Sequence, residues 1–312
     1  MFTKNFKNLT KNDADIAGGK GASLGEMTCA KITVPPGFVV LAGAFDDFLA
    51  ETDLQVEVDA IIKKINHEDM NSVEMASVKI RDLIKDAKFP KNIAAEVIAE
   101  FKKLNTTYVA VRSSATAEDS SVASWAGELE TYLNVTDKKL LDAVKKCWSS
   151  LFTPRAIFYR FEKKMHLQKV SVAVVVQKMV QSDISGICFT VHPVTKDKNQ
   201  LVIEAGYGLG EAIVGGLITP DTYVIDKKTY NLLDVNISEQ NMMIAKNKKN
   251  DTVQTKVAKN MAAKQKLSNK KIVELAKLCH LIERHYKKPQ DIEWAMEKDK
   301  LYITQSRPIT TL

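Results

Sequence analysis

The sequence predicts an α+β protein with more than one lobe, and three observations support that class. Strand-like runs rich in β-branched residues occur at 106–114, three times within 170–208, and again near the end of the chain. Helical periodicity covers most of 44–104, 136–152 and 269–286. The chain of 312 residues is also longer than the roughly 250–300 residues that one hydrophobic core usually organises.

Composition is that of an ordinary globular protein. With 45% hydrophobic, 27% charged and 7% aromatic residues, the chain has the profile of neither a disordered nor a fibrous protein. The longest near-apolar stretch, around 171–180, is shorter than the roughly 20 residues of a membrane span. The first ten residues lack the apolar core of a signal peptide. We therefore expect a cytoplasmic protein with no membrane partner.

The net charge of +7 comes from lysines spread along the chain, which indicates a solvated surface and no nucleic-acid partner. Six of the 45 basic residues are arginine, at positions 81, 112, 155, 160, 284 and 307. Because lysine cannot copy the fixed donor fork of a guanidinium, each arginine is a candidate for a specific role. The cysteines at 29, 147, 188 and 279 form no C-x-x-C pair. We expect neither a zinc site nor a disulfide framework, and interpret all four as buried thiols.

The first half of the chain is expected to alternate short strands with helices. GGKGASLGEM predicts a loop and a helix, and the prolines and glycine of VPPGFVV lead into a strand. Residues 44–104 predict helices, two of which Pro90 separates. TTYVAVRSS predicts a buried strand that ends in a polar turn. Residues 136–152 predict an amphipathic helix capped by Thr136 or Asp137.

The second half predicts a sheet, a long helix and a hairpin. Three strands within 170–208 are expected to form a substantial sheet. Residues 236–268 show little periodicity and predict an irregular excursion. A helix over 269–286 should stop before Pro289. DIEWAM and LYITQSRP then predict a hairpin around EKDK.

Lys20 is the first candidate for ligand chemistry. It lies in GGKG, where glycines let backbone N–H groups approach an anion and the ammonium neutralises it. The Walker pattern G-x-x-x-x-G-K-[ST] is absent. The alternative is a turn without a ligand.

Arg112 is the second candidate, because a buried strand delivers it into a run of serine, threonine and glycine. Gly127 could offer a backbone N–H and Thr131 a hydroxyl, which together would form a phosphate cradle. The alternative is a structural ion pair of Arg112 with Glu118 or Asp119 in a solvent-exposed loop.

Four polar residues of the C-terminal hairpin form a third candidate group: Asp291, Glu293, Gln305 and Arg307. They offer oxygen ligands and a cation in one place, as a Mg²⁺–nucleotide site requires. The alternative is an ordinary polar face of a solvent-exposed strand.

Gln177, followed by Lys178, interrupts a run of valines at the end of a strand. Such an interruption suits contact with the edge of a nucleobase. The alternative is the solvent face of an edge strand.

The turn of the hairpin decides whether Glu293 and Gln305 share a face. Pairing Met296 with Leu301 would place the two side chains on opposite faces. A three-residue turn that pairs Met296 with Lys300, or an equivalent bulge, would place them on one face. We predict the same-face register, with Glu293 and Gln305 as diagonal neighbours across the two strands.

The motifs GGKGASLGEM, VPPGF, VAVRSSATAEDSSVASWAGELETYLNV, GLGEAIVGG, PQDIEWAM and LYITQSRP, in this order over the full length, resemble the N-terminal ATP-binding domain of phosphoenolpyruvate synthase. The related pyruvate, phosphate dikinase and rifampin phosphotransferase share that domain. The resemblance implies an ATP-grasp fold in which two α+β lobes hold ATP between them. We assign 1–180 to the lobe with the phosphate-binding motifs and 181–312 to the lobe with the magnesium-binding hairpin.

The resemblance also implies roles for individual residues. Lys20 and Arg112 would hold phosphates and, with Arg307, act in catalysis. Gly127 and Thr131 would belong to the phosphate loop, and Gln177 would contact adenine. The magnesium ligands would be Glu293 and Gln305, with Asp291 as a further candidate, and Arg307 would grip the transferring phosphate. The implied cofactors are ATP and Mg²⁺.

In the resembled family, ATP phosphorylates a histidine on a separate swivelling domain, which carries the phosphoryl group to pyruvate or a drug. None of the five histidines here lies in the TSHA-type motif of that carrier. We therefore expect the carrier-histidine and pyruvate domains to be absent from this chain and the acceptor histidine to come in cis or in trans. Two alternatives stay open: an antibiotic-modifying enzyme of the rifampin phosphotransferase type, and a nucleotide-binding regulatory module without turnover.

Overall fold

The structure, a computed structural model, describes residues 1–116, 130–165, 170–247 and 251–310. The helices in this part of the chain are α1 Ala14–Cys29, α2 Ala42–Glu51, α3 Leu54–Lys63, α4 Met70–Asp86, α5 Lys91–Lys103, α6 Asp137–Ser149, α7 Pro154–Glu162, α8 Glu211–Val214, α9 Lys259–Ala262 and α10 Asn269–Tyr286. The strands are β1 Thr3–Asn5, β2 Gly37–Val40, β3 Val109–Ala115, β4 Thr131–Val135, β5 Val172–Lys178, β6 Ile184–Phe189, β7 Gln200–Tyr207, β8 Asp221–Asp226, β9 Leu232–Asn236, β10 Met242–Lys246, β11 Thr252–Lys256, β12 Gln290–Glu297 and β13 Lys300–Pro308. The α+β class is confirmed. Across the described ranges, no helix combines the length and apolar character needed to span a bilayer.

The chain divides into two compact units. The first unit comprises Met1–Cys29 and Pro36–Met179, and the second comprises Ala30–Pro35 and Val180–Leu312. Our lobe assignment of 1–180 and 181–312 did not foresee the short excursion at 30–35. That segment belongs with the second unit because the backbone N–H of Ile303 donates to the carbonyl of Thr33 at 2.9 Å.

The first unit is built on a five-stranded antiparallel sheet in the order β1-β2-β5-β3-β4. One face packs against helices α2 to α7 through a large apolar core. Trp148 of α6 lies at its centre, with ring centroids 5.0 Å from Phe48 and 5.6 Å from Phe45. The predicted amphipathic helix is thus confirmed as α6, with Thr136 at its N-cap and no side-chain capping bond.

The opposite face of this sheet carries α1. A Cβ added to Gly21 of α1 would lie 2.9 Å from Cγ2 of Val39 in β2, so the helix approaches the sheet closely only because this residue is glycine. We call this surface the α1 face.

The second unit contains a six-stranded antiparallel sheet in the order β13-β12-β6-β7-β8-β9. Helix α10 covers one face and has the predicted bounds. The expectation of one sheet for the three strands within 170–208 is wrong, because β5 belongs to the first unit and only β6 and β7 lie here. The valines of β5 fit a central strand with both faces covered, whichever sheet supplies the neighbours.

The prediction of an irregular excursion at 236–268 is also wrong. This segment contains the β10–β11 hairpin and α9. Gln240 accepts a hydrogen bond from the Tyr207 N–H at 2.8 Å and donates to the Tyr207 carbonyl at 3.0 Å. Lys266 forms a buried ion pair with Asp221 at 2.8 Å. The anchors are side chains whose partners lie more than thirty residues away, so periodicity does not reveal them.

Of the cysteines, three are buried as expected, but Cys29 is exposed because it ends α1.

The C-terminal hairpin forms as predicted from β12 and β13. Its turn has two residues, at 298–299, with φ of 49° and 66°. Positive φ at both positions is typical of the two-residue turns that match the twist of paired strands. The turn pairs Met296 with Leu301, the register that by itself would separate Glu293 from Gln305.

Candidate functional site

A β-bulge brings Glu293 and Gln305 back to one face of the hairpin. Beyond the pair of Trp294 with Ile303, the register shifts, leaving Thr304 as the extra residue. Glu293 and Gln305 then pair directly. The same-face placement is confirmed, while the predicted diagonal relation is wrong. Directly opposed residues have Cβ atoms about 4.5–5.5 Å apart, closer than diagonal ones.

Asp291 and Arg307 form the next pair on this face of the hairpin. Nε and a terminal nitrogen of Arg307 each lie 2.8 Å from Oδ2 of Asp291. Burial raises the pKa of Asp291, nearby Arg307 opposes that shift, and Glu293 adds to it. Asp291 therefore orients the guanidinium and balances part of its charge.

Glu204 of β7 shares this face, and sequence reasoning missed it. Gln305, Glu293, Ile187 and Glu204 form one cross-strand row over β13, β12, β6 and β7. Burial raises the pKa of Glu204, and the charge of Asp291 adds to the shift. The signal was available in the sequence, because Glu204 interrupts an apolar strand just as Gln177 does.

In the first unit, Arg112 and Thr131 lie in a cross-strand row on the α1 face. The row runs Val39, Val175, Arg112, Thr131 over β2, β5, β3 and β4. Arg112 is 8% exposed and Thr131 is exposed. The Arg112 side chain is therefore largely buried in the sheet, next to the exposed Thr131.

Gln177 lies on the same face, two residues along β5 from Val175. It is 2% exposed and is flanked by Gly37 and Ala110. The edge-strand alternative is wrong, because β5 lies between β2 and β3. Lys178, by contrast, is exposed at the end of the strand.

Lys20 lies on α1, over the α1 face. GGKG falls inside this helix, where Gly18 breaks the helical path with φ 68°. Burial and the charge of Glu130 raise the pKa of the Cys147 thiol, and Lys20 opposes that shift. Lys20 and Glu130, the residue before Thr131, therefore both interact electrostatically with the Cys147 thiol.

Gly127, Glu118 and Asp119 lie outside the described residues. The predicted phosphate-loop role of Gly127 and the alternative ion pair of Arg112 therefore stay predictions.

Two cavities of the first unit do not involve the candidate residues. One, of about 780 Å³, lies between helices near Leu83 and Phe89. The other, of about 580 Å³, is lined by Phe152 and the buried Arg160.

The oxygen ligands of the second unit suit a cation that is also coordinated by a substrate. Among residues 1–116, 130–165, 170–247 and 251–310, no three histidine, cysteine, aspartate or glutamate side chains are grouped to hold a metal. Glu293 and Gln305 nevertheless present two oxygen donors on one face. Mg²⁺ typically takes one or two protein ligands and completes its shell with water and phosphate oxygens. The donor set therefore suits magnesium bound together with a phosphate ester.

The structure is an α+β protein in which each of the two units groups candidate residues on one face of its sheet. A family model described as "Pyruvate phosphate dikinase, AMP/ATP-binding domain" matches residues 14–312. The chain belongs to this family of ATP-binding domains, and the resemblance seen in its motifs is confirmed.

Curated relatives carry two kinds of name. "Probable phosphoenolpyruvate synthase" of Methanocaldococcus jannaschii is 47% identical over 311 residues, covering 97% of this chain and 26% of the relative. The protein of the same name from Archaeoglobus fulgidus is 47% identical over 310 residues, covering 97% of this chain and 41% of the relative. "Rifampicin phosphotransferase" of Bacillus cereus is 37% identical over 314 residues, covering all of this chain and 36% of the relative. The chain thus spans less than half the length of these relatives.

Proposed function

We propose that this chain is the Mg-ATP-binding part of a phosphotransferase of the phosphoenolpyruvate synthase type. In this proposal ATP phosphorylates a histidine on a separate swivelling domain. The observation that carries it is the grouping of Arg112, Thr131 and Gln177 on the one sheet face that α1 covers with Lys20. Family membership supports ATP as the ligand.

In the first unit, Arg112 and Lys20 would neutralise phosphate charge. The half-buried Lys20 and the nearly buried Arg112 would lose little side-chain entropy on binding, because packing already restricts both. A guanidinium and a hydroxyl side by side, as in Arg112 and Thr131, can donate several hydrogen bonds to one phosphate. Gln177 has both a donor and an acceptor for the edge of a base.

In the second unit, Glu293 and Gln305 would hold the magnesium ion. When bound, Mg²⁺ supplies charge neutralisation to the phosphate oxygens. Asp291 holds Arg307 through two contacts of 2.8 Å, so the guanidinium is oriented before any phosphate arrives. Catalysis in phosphoryl transfer consists mostly of such positioning and of stabilising the developing charge.

Two acceptors are compatible with the relatives' names: pyruvate, and a rifamycin-like drug. We favour the phosphoenolpyruvate synthase type because those relatives are 47% identical, against 37% for the phosphotransferase named for rifampicin. In either case the acceptor would be reached through the carrier domain.

The experiment is reconstitution with a carrier domain in trans. The purified chain, Mg²⁺ and ATP labelled on its β and γ phosphates are mixed with a separately purified carrier-histidine domain of the phosphoenolpyruvate synthase type. We expect acid-labile, alkali-stable label on the carrier and none when its histidine is replaced by alanine. ATP binding without transfer to the carrier would instead support the regulatory module, and the absence of ATP binding would overturn both functions.

A further inference from the structure

Ser114 of β3 makes two hydrogen bonds to α1, one on each side of the break at Gly18. Its hydroxyl donates to the carbonyl of Ala17 at 3.0 Å and accepts from the N–H of Gly21 at 3.3 Å. The residue is fully buried. One side chain of the sheet therefore satisfies backbone groups from both segments of the helix.

These two hydrogen bonds provide partners for backbone groups that the break in α1 would leave unpaired. The last carbonyls of a helical segment and the first N–H groups of the next have no partner inside the helix. Ser114 caps the second segment at its third residue, as an N-cap serine would, although it comes from a strand more than ninety residues away.

Gly18 makes the close approach possible. Its φ of 68° disfavours any residue with a side chain, and an added Cβ would lie 2.1 Å from Oγ of Ser114. The break in α1 thus depends on two residues: Gly18, which has no side chain, and Ser114 of β3, whose hydroxyl bonds to the helix.

Lys20 lies between the two anchored positions, one residue before Gly21. Ser114 lies two residues from Arg112 on the same face of β3, because side chains alternate along a strand. The hydroxyl therefore ties the backbone around Lys20 to the strand that carries Arg112.

We propose that Ser114 is a positioning residue for Lys20, holding the break in α1 so that the ammonium is presented beside Arg112. This inference rests on the proposed role of Lys20 in binding phosphate. Ser114 itself is fully buried and uses its hydroxyl as donor and acceptor within the protein, so it acts through Lys20 and not through contact with ATP.

The test is a double-mutant cycle on Mg-ATP affinity, measured by calorimetry with Ser114→Ala, Lys20→Ala and the double variant. We expect Ser114→Ala to weaken binding about three- to tenfold in the native background and to have no further effect once Lys20 is alanine. A general loosening of the protein would weaken binding by the same factor in both backgrounds, which would overturn the proposal.

Ser113→Ala is the matched control. Ser113 is equally buried, and its hydroxyl donates to the carbonyl of Glu130 at 2.9 Å, but it points to the opposite face of β3. We expect unchanged ATP affinity for this variant. A loss equal to that of Ser114→Ala would overturn the specific role of Ser114.

A second measurement needs no ATP. Competitive acetylation read by mass spectrometry reports the reactivity of each lysine, and we expect Ser114→Ala to change that of Lys20 and not that of exposed Lys102. Should the alanine variant not fold, Ser114→Cys serves in both experiments, because its thiol is a weak hydrogen-bonding partner. Unchanged Lys20 reactivity would overturn the proposal. If Lys20→Ala alone leaves the ATP affinity unchanged, Lys20 has no role in phosphate binding and the inference about Ser114 is overturned. The proposed function would still stand, because the chain would still bind ATP.

Discussion

Replacing Asp221 with asparagine should strongly destabilise the second unit. Asp221 and Lys266 are an ion pair at 2.8 Å, with both side chains fully buried. Asp221 also accepts hydrogen bonds from the N–H of Lys266, the N–H of Ser238 and the hydroxyl of Tyr223, at 2.8, 3.0 and 2.8 Å. An asparagine keeps the shape of the side chain but removes its charge and turns one acceptor into a donor.

The expected magnitude follows from the burial. Removing one partner of a buried pair leaves an uncompensated charge, which costs about 3–5 kcal/mol. The pair of Glu57 with Lys79, whose side chains are 45% and 61% exposed, gives the contrast. Glu57→Gln should cost about 1 kcal/mol at most, because water already solvates both ions.

Amide hydrogen exchange read by mass spectrometry measures the effect unit by unit. In Asp221→Asn we expect faster exchange in β8 and in the β10–β11 hairpin, which Lys266 and Ser238 help to anchor, and unchanged exchange in β3 of the first unit. Combining Asp221→Leu with Lys266→Met should recover part of the stability, because no buried charge then remains. A cost below about 1 kcal/mol for Asp221→Asn, with exchange in β8 unchanged, would refute the reasoning.

Three further predictions concern the candidate site and its function. Arg112→Ala or Arg307→Ala should weaken Mg-ATP binding about ten- to a hundredfold, as expected for loss of a charge-assisted contact. Lys102→Ala, on the exposed side of α5, should leave the affinity unchanged. If calorimetry gives both arginine variants the same ATP affinity as the native protein, neither arginine belongs to the site. The 312-residue chain alone should not convert pyruvate and ATP to phosphoenolpyruvate, since none of its histidines lies in a carrier motif; sustained product formation in a coupled assay would contradict this. Glu204→Gln should stabilise the protein at pH 7, because burial raises the pKa of the folded carboxyl above its ordinary value of 4.5 and the charged form therefore carries a penalty. That gain should vanish as the pH falls below about 4.5, where the carboxyl is protonated in both states, and a gain independent of pH in thermal melts would contradict the assignment.

Local patterns were sufficient where an element depends on its own residues. The periodicity of 269–286 and the proline that follows it define α10, and the apolar stripe of α6 packs as its spacing predicts. Strand β3 and the C-terminal hairpin are equally local, since each is a short β-branched or alternating run bounded by turn residues.

Patterns failed where an element depends on distant partners. The segment 236–268 looked irregular because Gln240 and Lys266 hold it through contacts with β7 and β8. The strand β5 was assigned to the wrong sheet because a run of valines fits any buried strand and does not identify its neighbours.

The sequence by itself determined the family, the residue types of the candidate site and the positions of most elements. Its motifs show the candidate residues directly: a lysine among glycines, an arginine followed by serines in a buried strand, and a carboxylate and an amide in a hairpin. The tertiary structure alone decided which of these residues share a face. Glu293 meets Gln305 only because the bulge at Thr304 reverses the effect of the turn, and Ser114 of a distant strand holds the backbone of α1 on both sides of Lys20. A one-residue shift moves every side chain to the other face of a sheet, and that shift is settled by non-local packing.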